Sequence, residues 1–152
     1  MEKNNTLEKI NKAIIIGCGR MGAAIGLKMS EMGKDVTVID QDESAFRKLS
    51  KAYGGNSIIG DGTNIAFLRE NEISESDLVV CATNDDNTNI FIALMVANII
   101  GVKHVYVRVY DNDQVNLLSK YKINVICPSE LSVTAFIYDF KREGTEHENN
   151  SN

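Results

Sequence analysis

Three glycines, Gly17, Gly19 and Gly22, break the apolar run AIIIGCGRMGAAIG at residues 13–26 and carry the most legible chemistry in the chain. The spacing G-x-G-x-x-G suits a pyrophosphate. The first glycine permits a tight turn, the second lets the backbone approach the phosphates, and the third lets a following helix pack closely on the preceding strand. Free N–H groups and the dipole at that helix N-terminus favour negative charge. Cys18, Arg20 and Met21 occupy the intervening positions of the motif and belong to the same candidate site. Arg20, just past the second glycine, is placed either to meet distal phosphates or to stand solvated at the helix start.

A carboxylate stands where the second half of such a site needs one. Asp40 ends the run DVTVID, near the spacing of about 20 residues at which an acid accepts hydrogen bonds from ribose hydroxyls. It would repel a 2′-phosphate, and Gln41 and the rest of QDES bring no Arg or Lys to neutralise one. NAD(H) or an adenine nucleotide (ATP, ADP or AMP) is therefore favoured over NADP. Two further loops, GDGTN (60–64) and CATNDDNTN (81–89), come after apolar runs. Asp61 is suited to accept from an adenine amino group, Gly62 to leave room for the ring, and Ala82 with Thr83 to pass under the ribose. Ordinary turn chemistry accounts for the same residue types. Arg108, after VYV, either points into the cleft or pairs with an acid of NDDN.

These residues need a scaffold that gathers strand ends along one edge. Six short apolar or β-branched runs, KAIIIG, DVTVID, NSIIG, DLVVCAT, HVYVRV and INVIC, alternate with helical patterns. Continuously apolar strands joined by crossover helices predict an α/β domain with a doubly wound, Rossmann-like parallel sheet of six strands in order 3-2-1-4-5-6. Gly33 and Gly101 fall at helix C-caps, and Asp42, Thr63, Asp111 and Ser129 at N-caps. The expected organisation is a polar lead at 1–11, one nucleotide-binding domain at 12–141, and a disordered tail or linker stub at 142–152.

Composition excludes several classes. The 152 residues are 43% hydrophobic with one proline, enough for a core. A formal net charge of −5 without a basic run argues against nucleic acid as a partner. No run nears the roughly 18 apolar residues that span a bilayer, and MEKNNTLEKIN is polar where a signal peptide is apolar. A cytoplasmic location without direct membrane insertion is expected. Three cysteines without a CxxC pair make neither a disulfide framework nor a zinc site. Cys18, Cys81 and Cys127 all fall at strand ends and read as buried fillers or, alternatively, as redox sensors. His104 and His147 have no companions at ligand spacing, so no metal site is expected.

Taken in order, IIIGCGRMG, VTVIDQDE, IIGDGTN, LVVCATNDDNTNIFIALMVAN, VYVRVYD and VICPSELSV resemble the TrkA N-terminal (RCK N) family of potassium-transport regulators, from about Lys12 to about Phe140. The resemblance implies a domain that binds NAD(H), ATP, ADP or AMP without catalysis. It also implies assembly into dimers or rings on the cytoplasmic face of a membrane-embedded potassium channel or transporter. At matching positions it puts Gly17, Gly19, Arg20 and Gly22 on the phosphates and Asp40 on the ribose. Asp61 and Gly62 flank the adenine, and Ala82, Thr83 and Asn84 complete the cleft. The resemblance also implies that a smaller C-terminal ligand-binding domain usually follows the last helix of such a domain.

The helix SELSVTAFIYDFKRE carries two apolar stripes: Val133, Phe136, Ile137 and Phe140, and then Leu131, Ala135 and Tyr138. One is expected to cover the sheet. The other is expected to form a homodimer contact, unless the helix wedges deeper into its own domain. NIFIALMVANIIG poses the same question. The expected function is nucleotide-sensing regulation of potassium transport, with the cofactor domain of an NAD-dependent oxidoreductase as the alternative and a dimerisation module with permanently bound nucleotide as a third reading.

Overall fold

The computed structural model describes residues 6–149. A helical turn, α1 (Thr6–Lys9), leads into β1 (Lys12–Ile16), followed by α2 (Arg20–Glu31) and β2 (Asp35–Asp40). A 3-10 helix (Glu43–Lys48) precedes β3 (Asn56–Ile59) and α3 (Ile65–Glu70), and a short 3-10 turn (Ile73–Glu75) precedes β4 (Leu78–Cys81). Then come α4 (Asp86–Met95), β5 (His104–Arg108), α5 (Asn112–Leu118), β6 (Asn124–Ile126) and α6 (Pro128–Asn149). The strands form one six-stranded sheet, β3-β2-β1-β4-β5-β6, with every neighbouring pair parallel. This is the doubly wound order expected from the sequence.

Alternation along β1 explains why an unbroken apolar run was needed. Ile14 and Ile16 enter one buried cluster with Val79, Val105 and Val107, covered by α3, α4 and α5 through Leu68, Ile92 and Leu118. Ala13 and Ile15 enter the other with Val36, Val38 and Val80, covered by α2 through Ala23 and Met29. Both faces are dry at β1 and β4, the condition for a parallel sheet. The second face is less complete toward β6: Tyr106 and Arg108 on β5 and Ile126 on β6 are only partly buried.

Gly33 (φ 75°) and Gly101 (φ 89°) take the left-handed conformation past helix ends. Gly101 closes a π-helical turn, Val96–Ile100, that extends α4. Asp42 and Asp111 act as N-caps, accepting from Ser44 N and Asp113 N. Two expected caps are corrected. Asn64, not Thr63, caps α3 by accepting from Ala66 N and Phe67 N, because the Thr63 hydroxyl is held by Asp61. Ser129 lies inside the first turn of α6, since Pro128, with its fixed φ, takes the first helical position.

The chain ends differ from expectation too. In the lead, Ile10 is buried, and the Asn11 and Lys12 N–H groups donate to Asp77 Oδ2 at 2.9 and 3.0 Å. These bonds, Lys12's first, hold the Asp77 carboxyl below its usual pKa. In the polar end, α6 continues to Asn149, so 142–149 is helical where a disordered tail or linker stub was expected. Lys, Arg and Glu favour helix there, and no proline interrupts it. Neither stripe of α6 covers the sheet. Leu131, Val133, Phe136, Tyr138 and Phe140 are at least 60% exposed and Ile137 is 42% exposed. The alternative of a helix wedged into its own domain fails on the same values.

Candidate functional site

A cleft of about 740 Å³ runs across the carboxyl ends of the strands, within the range of small-molecule sites. Each glycine of the motif meets it for a different reason. Gly17 has φ 104°, and a Cβ there would lie 2.5 Å from Thr83 N and 2.6 Å from the Ala82 carbonyl carbon. No other residue fits. At Gly22 a Cβ would strike the Gly17 carbonyl oxygen, so α2 packs against the turn only because that side chain is missing. Gly19 differs from both: its backbone is extended (φ −79°, ψ −173°), and a Cβ would meet nothing nearer than the Ala82 oxygen at 3.9 Å. Neither backbone nor packing requires glycine at 19.

The charges around the loop are fixed by hydrogen bonds. Asp40 accepts from Cys18 N through Oδ2 (2.7 Å) and from Asp42 N through Oδ1 (2.9 Å), fastening the glycine turn to the end of β2. The Cys18 thiol is pushed above its usual pKa, by burial first and by Asp40 second. Gly19 is the N-cap of α2 and supplies no side-chain bond, so the first-turn N–H groups remain for an acceptor in the cleft. By contrast α4 is capped by Asp85, which accepts from Thr88 N at 2.7 Å. Asp61 accepts from the Thr63 hydroxyl and N–H, bonds that lower its pKa.

The cleft brings together Gly17, Cys18, Gly19, Arg20, Asp40, Gln41, Asp61, Gly62, Thr83, Asn84 and Arg108. Met21, Gly22 and Ala82 lie outside its lining. Met21 packs on the α2-side core, and Ala82 is buried behind Gly17. Gly62 also has a packing reason: a Cβ there would collide with Ile16 and approach Ile92 Cδ1 at 3.2 Å, and both isoleucines line the cleft with it. Arg108 makes no ion pair with NDDN, the described ion pairs being Lys12–Glu72 and Lys28–Glu31. Its guanidinium lies over the Tyr110 ring, 4.7 Å from the centroid. Among the described residues no disulfide joins the three buried cysteines, and only Cys18 of them lines the cleft. Burial also raises the Cys81 thiol, which keeps it protonated.

Two contributors were not foreseen. Lys48 lines the cleft because the 3-10 helix after β2 folds back, bringing a cation near Asp42 and Cys18. QDES itself brings no base, as read from the sequence, but Lys48 beyond it adds a cation to the cleft lining. Asn89, fully buried, accepts from Thr83 N (2.8 Å) and Thr83 Oγ1 (2.6 Å) and donates to the Thr83 and Arg108 carbonyls (both 3.1 Å). It ties the ends of β4 and β5 together. The signal was present as one amide preceding IFIAL on a helix otherwise apolar inside.

Among the described residues no group of three His, Cys, Asp or Glu could hold a metal ion, and no helix is long and apolar enough to cross a membrane. The His147 side chain lies outside the described ones.

Comparison with known proteins gives a consistent result. The TrkA-N domain family model matches residues 13–128. Trk system potassium uptake protein TrkA of Streptomyces coelicolor is 37% identical over 98 residues, 64% of this chain and 44% of that protein. The TrkA homolog of Methanothermobacter thermautotrophicus is 27% identical over 124 residues, 82% of this chain and 57% of that one. The chain thus spans about half the length of these relatives. The TrkA-N domain of inner membrane protein ybaL from Escherichia coli superposes with a TM-score of 0.73 at 15% identity, covering 85% of this chain and 96% of that one. The Kef CTD of Shewanella denitrificans in AMP-bound form gives 0.65 at 20% identity, covering 88% and 82%. At such identities the structures establish the shared fold.

Proposed function

The chain belongs to the TrkA-N domain family, and from that premise we propose that it is a nucleotide-sensing regulatory domain or subunit of a potassium transport system, binding NAD(H) or an adenine nucleotide without catalysis. Gly19 carries the reading. A glycine that neither its own backbone nor its neighbours require, at an uncapped helix start beside a carboxylate, serves a ligand that needs the space. Gly17, Gly19 and the first turn of α2 hold the phosphates, with Arg20 reading distal charge. Asp40 takes the ribose, Asp61 the adenine edge, and Gln41, Thr83, Asn84 and Arg108 the walls. Gly22 and Ala82 act by shaping the turn. The membrane-embedded partner is inferred from the name of the Streptomyces relative. A cytoplasmic location is inferred from that partnership.

Regulation through assembly has its own support. The apolar length of α6 is exposed while the sheet face over β5 and β6 is only partly covered. A second copy's α6 supplies what that face lacks, giving a homodimer or a higher ring. Absence of turnover is proposed because the cleft lining contains no histidine and its lysine lies on the Asp40 side, which leaves no obvious proton donor opposite a nicotinamide.

The test is a calorimetric titration with NADH, NAD, ATP, ADP and AMP, and then incubation of NADH with keto acids, aldehydes and quinones. Saturable binding of at least one nucleotide and no oxidation above background are expected. Failure of all five to bind removes the proposal, and steady oxidation replaces it with the oxidoreductase reading.

A further inference from the structure

Arg108 is held more firmly than a solvated cation requires. Its carbonyl accepts from the buried Asn89 amide at 3.1 Å, and the Tyr110 and Asp111 N–H groups just beyond donate to Asp86 at 2.8 and 3.1 Å. The end of β5 is therefore pinned to the start of α4. Along β5, Val105 and Val107 enter the α4-side core, while Tyr106 packs on the α2-side core and Arg108 alternates with it onto that face, where the glycine loop opens α2. The Tyr110 ring shields one face of the guanidinium.

In that setting Arg108 Nε is hidden from solvent and has no hydrogen-bond partner. Among the described residues the other such side-chain atom, Gln114 Oε1, is not in the cleft lining. Asp85 lines the same cleft, yet its carboxylate caps α4 and makes no ion pair with Arg108. A guanidinium with a free Nε presents two parallel N–H donors, Nε and one Nη, which match two oxygens of a single oxyanion.

The sheet order says which oxyanion reaches it. Asp40 ends β2, the glycine loop leaves β1, and Arg108 ends β5, so β2 and β5 are three strand steps apart. At about 4.8 Å per step this is about 14 Å, with the glycine loop one step from Asp40. A nucleotide with its ribose at Asp40 and its first phosphates on the loop reaches β5 only if it continues past the second phosphate. AMP stops short. A dinucleotide brings a second ribose there, whose single hydroxyls match a forked cation poorly, whereas a triphosphate brings a terminal phosphoryl group.

We propose that Arg108 is a specificity-determining residue that selects nucleotides by the group they carry beyond the second phosphate, gripping a terminal phosphoryl oxyanion in bidentate fashion. This rests on the nucleotide reading above. The experiment titrates AMP, ADP, ATP and NADH into the unmodified chain and into Arg108→Gln, Arg108→Lys and Tyr110→Leu. Arg108→Gln should weaken ATP by about tenfold or more, as expected for loss of a charged hydrogen-bond pair, and leave AMP within about twofold. Arg108→Lys, which keeps the charge and loses the fork, should still weaken ATP severalfold. Tyr110 is 52% exposed, so its truncation is tolerated structurally and should weaken ATP selectively by freeing the guanidinium. Equal effects on AMP and ATP, or unchanged ATP affinity in Arg108→Gln, overturn the assignment while the nucleotide reading stands. If no nucleotide binds the unmodified chain, both fall.

Discussion

Gly17 and Gly19, two residues apart, should respond oppositely to substitution. Gly17→Ala forces a side chain into φ 104° and against the Thr83 and Ala82 backbone, and should cost about 2 kcal/mol or more of stability in urea unfolding. Gly19→Val meets neither obstacle, so its urea midpoint should stay close to that of the unmodified protein while nucleotide affinity falls by about a hundredfold. Undiminished binding in Gly19→Val would sink the phosphate assignment. At this scale the sequence was legible where a residue acts through the backbone beside it, as at the positive-φ turn of Gly17. It was opaque where a residue acts across strands. The bonds of Asn89 to Thr83 and Arg108 span 6 and 19 positions, and a Cβ at Gly62 would meet Ile16 and Ile92, which no local motif reveals.

Among the elements, the 3-10 helix Glu43–Lys48 changes the specificity argument most. Asp40 alone predicts strong rejection of a 2′-phosphate, but the helix returns Lys48 to the cleft. The preference for NADH over NADPH should therefore be modest in the unmodified chain, widen in Lys48→Ala and narrow in Asp40→Asn, as read from paired dissociation constants. If Lys48→Ala leaves the ratio unchanged, the lysine does not face the ribose. Six strands and their order were readable because the central strands β1 and β4 are apolar on both faces, and crossover connections leave few topologies. Helix starts were less so. Thr63 and Ser129 are good caps by type, and what displaced them was an Asx turn at Asp61 and the fixed φ of Pro128. The register of α6 stripes was correct as periodicity, but periodicity alone does not say whether an apolar stripe meets its own sheet or another copy's.

For the whole molecule, exposed Phe136 and Phe140, stacked at 6.0 Å, predict an association that stabilises the fold. By mass action the thermal midpoint should rise with protein concentration, and sedimentation should show a dimer or larger species. The double substitution Phe136→Glu with Phe140→Glu should abolish both effects, and a concentration-dependent midpoint in that variant would place the contact elsewhere. The half-covered face over β5 and β6 has a further consequence, in the rate at which amide hydrogens exchange with solvent. β6 is a three-residue edge strand bonded to β5 alone, whereas β1 lies between two partners with both faces dry. Local opening on that side of the sheet should therefore begin at Asn124–Ile126, whose amides exchange faster than those of Lys12–Ile16 in dilute protein. Association should slow them far more than the amides of Lys12–Ile16, so that the protection of β6 reports how much of the chain is assembled.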